Sequence, residues 1–200
     1  MKGKTAVLIV LAVLAAGCAS VKPAGTGGPA SREAAFTYKY EDTNLVIIVD
    51  VELAQRRLDE PYFPLGLKIA NKRLNRIIID RQTLFLIDEA GKVYSMPSVE
   101  ELSLQYNKLT PDNKFKSQTG VLGDEMMTGF SMYRRAVGRL FPQTQGGGRT
   151  VDSIYIQRTG YMEDLIYFPM PEGGIRGKTL RLRLDAYELG KPLDVAFRVE

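Results

Sequence analysis

The sequence predicts a mainly β fold, a two-sheet sandwich interrupted by a two-helix insertion. Three observations predict it. Apolar residues recur with period two on both sides of the middle of the chain, the spacing at which alternate strand side chains share a buried face. Gly, Pro, Asn and Asp divide those runs into about eight or nine short segments, the pattern of a two-layer β domain. Over 98–142 the period lengthens to that of a helix.

The elements follow in order. Phe36, Tyr38 and Tyr40 alternate with Thr37, Lys39 and Glu41. Leu45, Ile47, Val49, Val51 and Leu53 form one face of the next run, with Asp50 and Glu52 on the other. The charged stretch 56–61 ends it. Phe63, Leu65, Leu67 and Ile69 then alternate up to Asn71. Pro64 cannot donate to a ladder, which places this run at an edge or at a strand start. Residues 76–80 and 83–87 are aliphatic strands, and 88–92 is a turn in which Gly91 supplies a positive φ. Val93 and Tyr94 open the return strand.

In the insertion, Ser98 and Glu101 form a capping box that starts a helix over about 99–108, ended by Thr110-Pro111-Asp112-Asn113. A second helix is expected over about 124–140. Met126, Phe130, Tyr133, Val137 and Leu140 share its face. Asp124 and Glu125 begin it and Arg134, Arg135 and Arg139 finish it, an order that suits the helix dipole. Pro142 stops it, and 145–149 is a glycine-rich connector. Strands return over 151–157, 165–168, 179–189 and 193–199. In the third of these Leu180, Leu182 and Leu184 face inward while Arg181, Arg183 and Asp185 face out.

The first residues carry a different message. Met1-Lys2-Gly3-Lys4 is basic, 6–16 is apolar, and Gly17-Cys18-Ala19-Ser20 follows. A helix over that apolar run spans about 16 Å, while a bilayer core is about 30 Å thick. The segment suits a signal-peptide core rather than a membrane span. Residues 14–18, Leu-Ala-Ala-Gly-Cys, resemble the lipobox of the bacterial lipoprotein class cut by signal peptidase II. The box usually has Leu three positions before the cysteine; here Ala15 holds that place and Leu14 stands one step further out. The resemblance implies removal of 1–17 and lipidation of Cys18. Ala19, where Asp would retain a Gram-negative lipoprotein in the inner membrane, implies outer-membrane sorting with the domain facing the periplasm. Two or three acyl chains on Cys18 hold firmly, since each buried CH₂ contributes about 0.8 kcal/mol. Residues 18–35 then read as the lipidated cysteine and a flexible tether rich in Gly, Pro, Ala and Ser, and 36–200 as the folded domain.

A second resemblance covers about thirty residues. LGLKIAN at 65–71 and TLFLIDEAGKVY at 83–94 are similar to the immunoglobulin-like sandwich of bacterial exported proteins of unknown function, and to the late-embryogenesis-abundant-like sandwich. In both families a strand ends in Asn, and a later one runs into an Asp-x-x-Gly-Lys-x-Tyr turn. The families imply a binding or structural module rather than a reaction. The insertion departs from them.

Composition excludes several chemistries. The chain has no histidine, and Cys18 is its lone cysteine. The commonest general base and metal ligand are therefore absent, and with Cys18 lipidated so are thiolate nucleophiles and disulfides. Loss of Lys2 and Lys4 reduces Lys+Arg from 27 to 25 against 23 acids, a charge of +2 that does not predict nucleic-acid binding. No metal or cofactor is expected. Asp88-Glu89-x-Gly91 lacks the ligand run of a calcium loop, and Gly146-Gly147-Gly148-Arg149 lacks the Gly-Lys-Ser/Thr of a phosphate loop. The acidic pairs Asp59-Glu60, Glu100-Glu101, Asp124-Glu125 and Glu163-Asp164 read as solvated or capping groups.

No catalytic residue is assigned. The candidate contact surface is Met126, Phe130, Tyr133, Arg134, Arg135 and Arg139, because Met, Tyr and Arg are favoured at interfaces. Packing of this face on the sandwich is the preferred alternative to a partner groove, with a membrane-surface helix third. The expected function is a membrane-anchored binding or structural component of the cell envelope, with a protein partner. An accessory subunit of an envelope or secretion complex, docking through the insertion, is the second reading. A carboxylate or Ser-Lys envelope hydrolase is the third.

Overall fold

The computed structural model describes residues 30–119, 132–142 and 149–200. Cys18, the expected leader at 1–17, Met126 and Phe130 lie outside them. In chain order the elements are β1 (Ser31–Ala34), β2 (Thr37–Glu41), β3 (Leu45–Asp50), α1 (Glu52–Gln55), β4 (Tyr62–Asn71), β5 (Arg76–Asp80), β6 (Leu84–Ile87), β7 (Val93–Ser95), α2 (Val99–Gln105), α3 (Leu109–Thr119), β8 (Arg134–Arg135), β9 (Ser153–Gln157), β10 (Gly160–Pro169), β11 (Thr179–Leu184) and β12 (Leu193–Arg198). The expected mainly β sandwich with a helical insertion is present. Its layers are a six-stranded sheet ordered β1-β2-β3-β4-β10-β8 and a four-stranded sheet ordered β12-β11-β6-β7, joined by a two-stranded sheet of β5 and β9.

The sequence explains which strands are central. β3 reads LVIIVD and β4 reads YFPLGLKIAN, and every residue of both is buried. Strands covered on both faces lose the polar alternation of a half-exposed one. Ile47, Val49, Phe63, Leu65 and Leu67 belong to one core cluster with Leu84, Leu86, Leu182, Val195 and Phe197 of the four-stranded sheet. β4 and β10 pair antiparallel over ten residues, from Tyr62↔Pro169 to Asn71↔Gly160. Pro64 therefore sits in a central strand. The β3 ladder, however, stops at Asp50↔Gly66, so at Pro64 one side of β4 has no strand neighbour and locally is an edge, where a missing N–H costs no ladder bond.

Asn71 ends β4 for a physical reason. It is fully buried, and its Nδ2 donates to the Leu74 carbonyl at 2.9 Å and the Ile156 carbonyl at 3.1 Å. Its Oδ1 accepts from the Leu74 N–H at 2.9 Å. One side chain thus satisfies the backbone of the turn that sends the chain into β5. The expected turn after β6 is also present: the Asp88 carboxylate accepts the Lys92 N–H at 2.9 Å, and Gly91 has φ 83°.

Four expectations need correction. Ser31–Ala34, within the expected tether, pairs with β2 and extends the sheet to residue 31. Val51 and Leu53 are not in a strand: the chain turns into α1 after Asp50, whose Oδ1 accepts the Glu52 N–H at 2.8 Å. The stretch 110–113 does not end helical structure but lies in the first turns of α3, where Pro111 needs no N–H partner. The C-terminal half of the second expected helix is not a helix. Arg134 and Arg135 are extended and pair parallel with Gly160 and Tyr161 of β10. The backbone of β10 needs partners along that side, and 134–136 supplies them: Arg134 N–H donates to the Thr159 carbonyl at 3.0 Å, and Ala136 N–H to the Tyr161 carbonyl at 2.7 Å. Gly138, at φ 106°, leaves a Cβ no room, because Val151 Cγ2 lies 2.6 Å from where one would sit.

Candidate functional site

The expected contact residues separate when placed in the fold. Tyr133 is half-buried and packs on Val46, Ile48 and Ala70, the outer face of the six-stranded sheet. Arg139 turns inward: its side chain is 14% exposed and its Nη1 lies 3.6 Å from the Asp164 carboxylate. Arg134 and Arg135 are exposed on β8, the last strand of the sheet. They do not share a helix face; they share an edge.

That edge borders a groove of about 420 Å³. Met132, Arg134 and Arg135 from the β8 segment and Tyr155, Gln157 and Arg158 from β9 and the turn after it line the groove. Thr159 and Gly160 close it. The wall is the β9–β10 turn. Arg158 N–H donates to the Asn75 carbonyl at 3.1 Å and Thr159 N–H to the Asn71 carbonyl at 2.9 Å, so the turn is tied to the end of β4. Thr159 has φ 56°, the one non-glycine residue with positive φ among the described residues. A β-branched residue in that region is strained. Gly160 cannot be enlarged: the Gln157 carbonyl oxygen lies 2.9 Å from where a Cβ would sit. Arg76 stands directly opposite Gln157 in the β5–β9 ladder, so it flanks the groove on the same exposed face.

Electrostatically the edge is positive. Arg135 lies 3.8 Å from Glu163. Among the described residues Arg76, Arg134 and Arg158 have no carboxylate within salt-bridge distance. Met132 is 88% and Tyr155 54% exposed, so the guanidinium groups have an apolar and an aromatic neighbour on the rim.

Behind the edge lies a buried polar layer. Asp164 is 1% exposed; its Oδ2 accepts the Leu140 N–H at 2.7 Å and its Oδ1 the Leu165 N–H at 2.9 Å. It clamps 139–142 to β10. Burial pushes its carboxyl up to about 6, against the opposing pull of Lys116, the two N–H donors and Arg139. Lys116 of α3 lies 3.8 Å from Glu163, and desolvation lowers its ammonium to about 8. Asn113 Oδ1, Lys116 Nζ, Arg139 Nη1 and Tyr167 Oη are buried without a hydrogen-bond partner among the described residues.

A second ionic group fixes α3. Asp112, fully buried, accepts Arg57 Nη2 at 2.6 Å and Nε at 2.8 Å on one oxygen, and the Tyr106 hydroxyl at 2.6 Å on the other. Burial holds the Asp112 carboxyl above its ordinary range even with Arg57 beside it. Next to it, the Tyr62 hydroxyl donates to Glu101 at 2.8 Å, and the Tyr106 ring meets those of Tyr62 and Tyr167. Ser98 caps α2 as expected, its Oγ accepting the Glu101 N–H at 3.0 Å.

Of the other acidic pairs, Glu163 and Asp164 are strand neighbours that point to opposite faces, and Asp124-Glu125 lies outside the described residues. Among the described residues no three acidic side chains gather where they could hold a metal ion. The sequence singled out Arg134 and Arg135, which line this groove, and did not single out Tyr155, Arg158 and Thr159, which line it too. The available signal was Arg158-Thr159-Gly160, a tight connection between two period-two runs. No known protein family, curated protein or solved structure matches the chain.

Proposed function

We propose that this protein is a lipid-anchored binding component of the bacterial cell envelope, held to the outer membrane through Cys18 with its domain in the periplasm. In this reading it engages an envelope partner along the β8 edge. The observation that carries the docking surface is the exposed pair Arg134 and Arg135 beside Arg158 and Tyr155, on a groove at the end of a sheet. The anchor rests on the leader and the lone cysteine at its end. The resemblance of 65–94 to exported sandwiches fits a module that binds rather than reacts. The strand order supports a division of labour: β1, where the chain enters from Cys18, and β8 are opposite ends of the six-stranded sheet. Five strand spacings of about 4.8 Å separate them by about 24 Å.

A more specific reading, an accessory subunit of a multi-protein envelope complex, is favoured by two large apolar side chains in the same segment, Met132 and Val137, 88% and 87% exposed. A detergent-solubilised pull-down tests both. Wild-type protein should recover a discrete envelope partner that a variant with Arg134→Glu and Arg135→Glu loses. Cys18→Ser should leave an unprocessed precursor. A processed, membrane-bound Cys18→Ser protein would refute the anchor; undiminished capture by the folded charge-reversal variant would refute the edge.

A further inference from the structure

We propose that the groove between β8 and the β9–β10 turn is a binding site for a phosphoryl group, of the kind carried by a phosphate ester or an anionic headgroup. The proposal rests on reading the β8 edge as the functional surface, and names what it recognises. Arg134 and Arg135 of β8 and Arg158 of the β9–β10 turn line the groove together, and Arg76 stands across the ladder from Gln157 of its lining. Guanidinium groups present planar donor forks that match the oxygens of phosphate two at a time. Phosphate presents more oxygens and more negative charge than a carboxylate, so it can meet several such forks at once. Among the described residues no carboxylate lies within salt-bridge distance of Arg76, Arg134 or Arg158, while Arg135 lies 3.8 Å from Glu163. Asp194 is taken by Arg183 at 2.7 and 2.9 Å, Asp152 by Arg81 at 2.8 Å, and Asp80 by the Gln82 and Thr83 N–H groups at 2.7 and 2.8 Å.

The wall is also built rather than accidental. Thr159 is held at positive φ by hydrogen bonds on both sides, its N–H to Asn71 and its carbonyl to the Arg134 N–H. Those bonds fix Arg158 and Arg134 in register with one another, and Asn71 is itself locked by three hydrogen bonds. Such preorganisation lowers the ordering cost of binding. The volume suits a small ligand or a headgroup, near the lower end of the range for small-molecule sites. Tyr155 and Met132 on the rim would contact the uncharged part that carries the phosphate.

Titration of pyrophosphate into the full chain in neutral detergent micelles tests the site. The expected result is saturable binding that weakens with added salt. Arg134→Ala with Arg158→Ala should weaken it by about tenfold or more, and the corresponding double lysine variant, which keeps the charge but not the fork, by about threefold. Phosphatidylglycerol added to the micelles separates the two sources. Competition with pyrophosphate assigns the site to a lipid headgroup, and lack of competition to a soluble phosphate ester; either supports the phosphoryl site. Absence of saturable binding overturns the proposal, as does a double lysine variant that binds as tightly as wild type, since that reduces the groove to a diffuse positive patch. The partner pull-down distinguishes the two failures. If the Arg134 and Arg158 variants lose partner capture while wild type ignores pyrophosphate, the edge remains the docking surface and the phosphate is wrong. If they lose neither, both readings fall.

Discussion

Replacing Asp112 by alanine removes the one carboxylate that ties α3 to the turn after α1 and to Tyr106. Two guanidinium contacts and one hydroxyl contact are lost together. Breaking a buried ion pair from one side costs about 3–5 kcal/mol, because the remaining charge keeps its desolvation penalty without its partner. Arg57 retains some water, its side chain being 18% exposed, which places its share at the low end of that range. The Tyr106 hydroxyl, in a residue 3% exposed, adds about 1 kcal/mol or more. Against this, burial disfavours the ionised carboxylate, as its raised pKa records, and its removal returns part of the loss. The net is a destabilisation of about 3 kcal/mol, or about 6–12 °C in Tm for a domain of this size. Asp112→Asn keeps an acceptor for Tyr106 and should lose about half as much. Denaturant unfolding followed by circular dichroism measures both. In a double-mutant cycle, Arg57→Ala should cost at least about 1.5 kcal/mol less in the Asp112→Ala background than in wild type. An Asp112→Ala protein within about 1 kcal/mol of wild type, or a cycle with no coupling, would show that α3 is held by packing alone.

Two further outcomes concern single sites. Asp50 is buried, and desolvation pushes its carboxyl up to about 6 from 3.8. The folded state therefore binds a proton more tightly than the unfolded chain; this stabilisation is full below pH 3.8 and lost as pH rises through about 6. Asp50→Asn, which preserves an acceptor for the Glu52 N–H, should raise stability at pH 7.5 by about 1–3 kcal/mol and flatten the stability profile between pH 4 and 6; a profile as steep as wild type's refutes the assignment to Asp50. Thr159→Gly should raise stability by about 1 kcal/mol, because glycine adopts the positive φ without the Cβ clash, and a loss of stability in thermal unfolding would show that the Thr159 side chain contributes more than its backbone strain costs.

The strand layers are legible in the order of residues alone. Period two in TLRLRL reports which residues face the core, because alternate strand side chains point to opposite faces, and the unbroken apolar run LVIIVD reports a strand covered on both faces. The Ser98 cap and the Asp88 turn were legible too, because there one side chain acts on backbone only a few residues away; Asn71 ends β4 as expected, but its side chain also reaches the distant Ile156 carbonyl. What the sequence left open was decided by neighbours distant along the chain. The spacing of Tyr133, Val137 and Leu140 fits a helix, yet Arg134 and Arg135 are extended, because the segment pairs its backbone with the start of β10. Pro111 ends one helix or begins another, and the pairing of Asp112 with Arg57, 55 residues away, places it in α3. The groove was invisible for the same reason. Arg134 and Arg158 are remote in the chain and become neighbours only when β10 folds back against β4 and carries its turn to β8, the end strand of the sheet among the described residues.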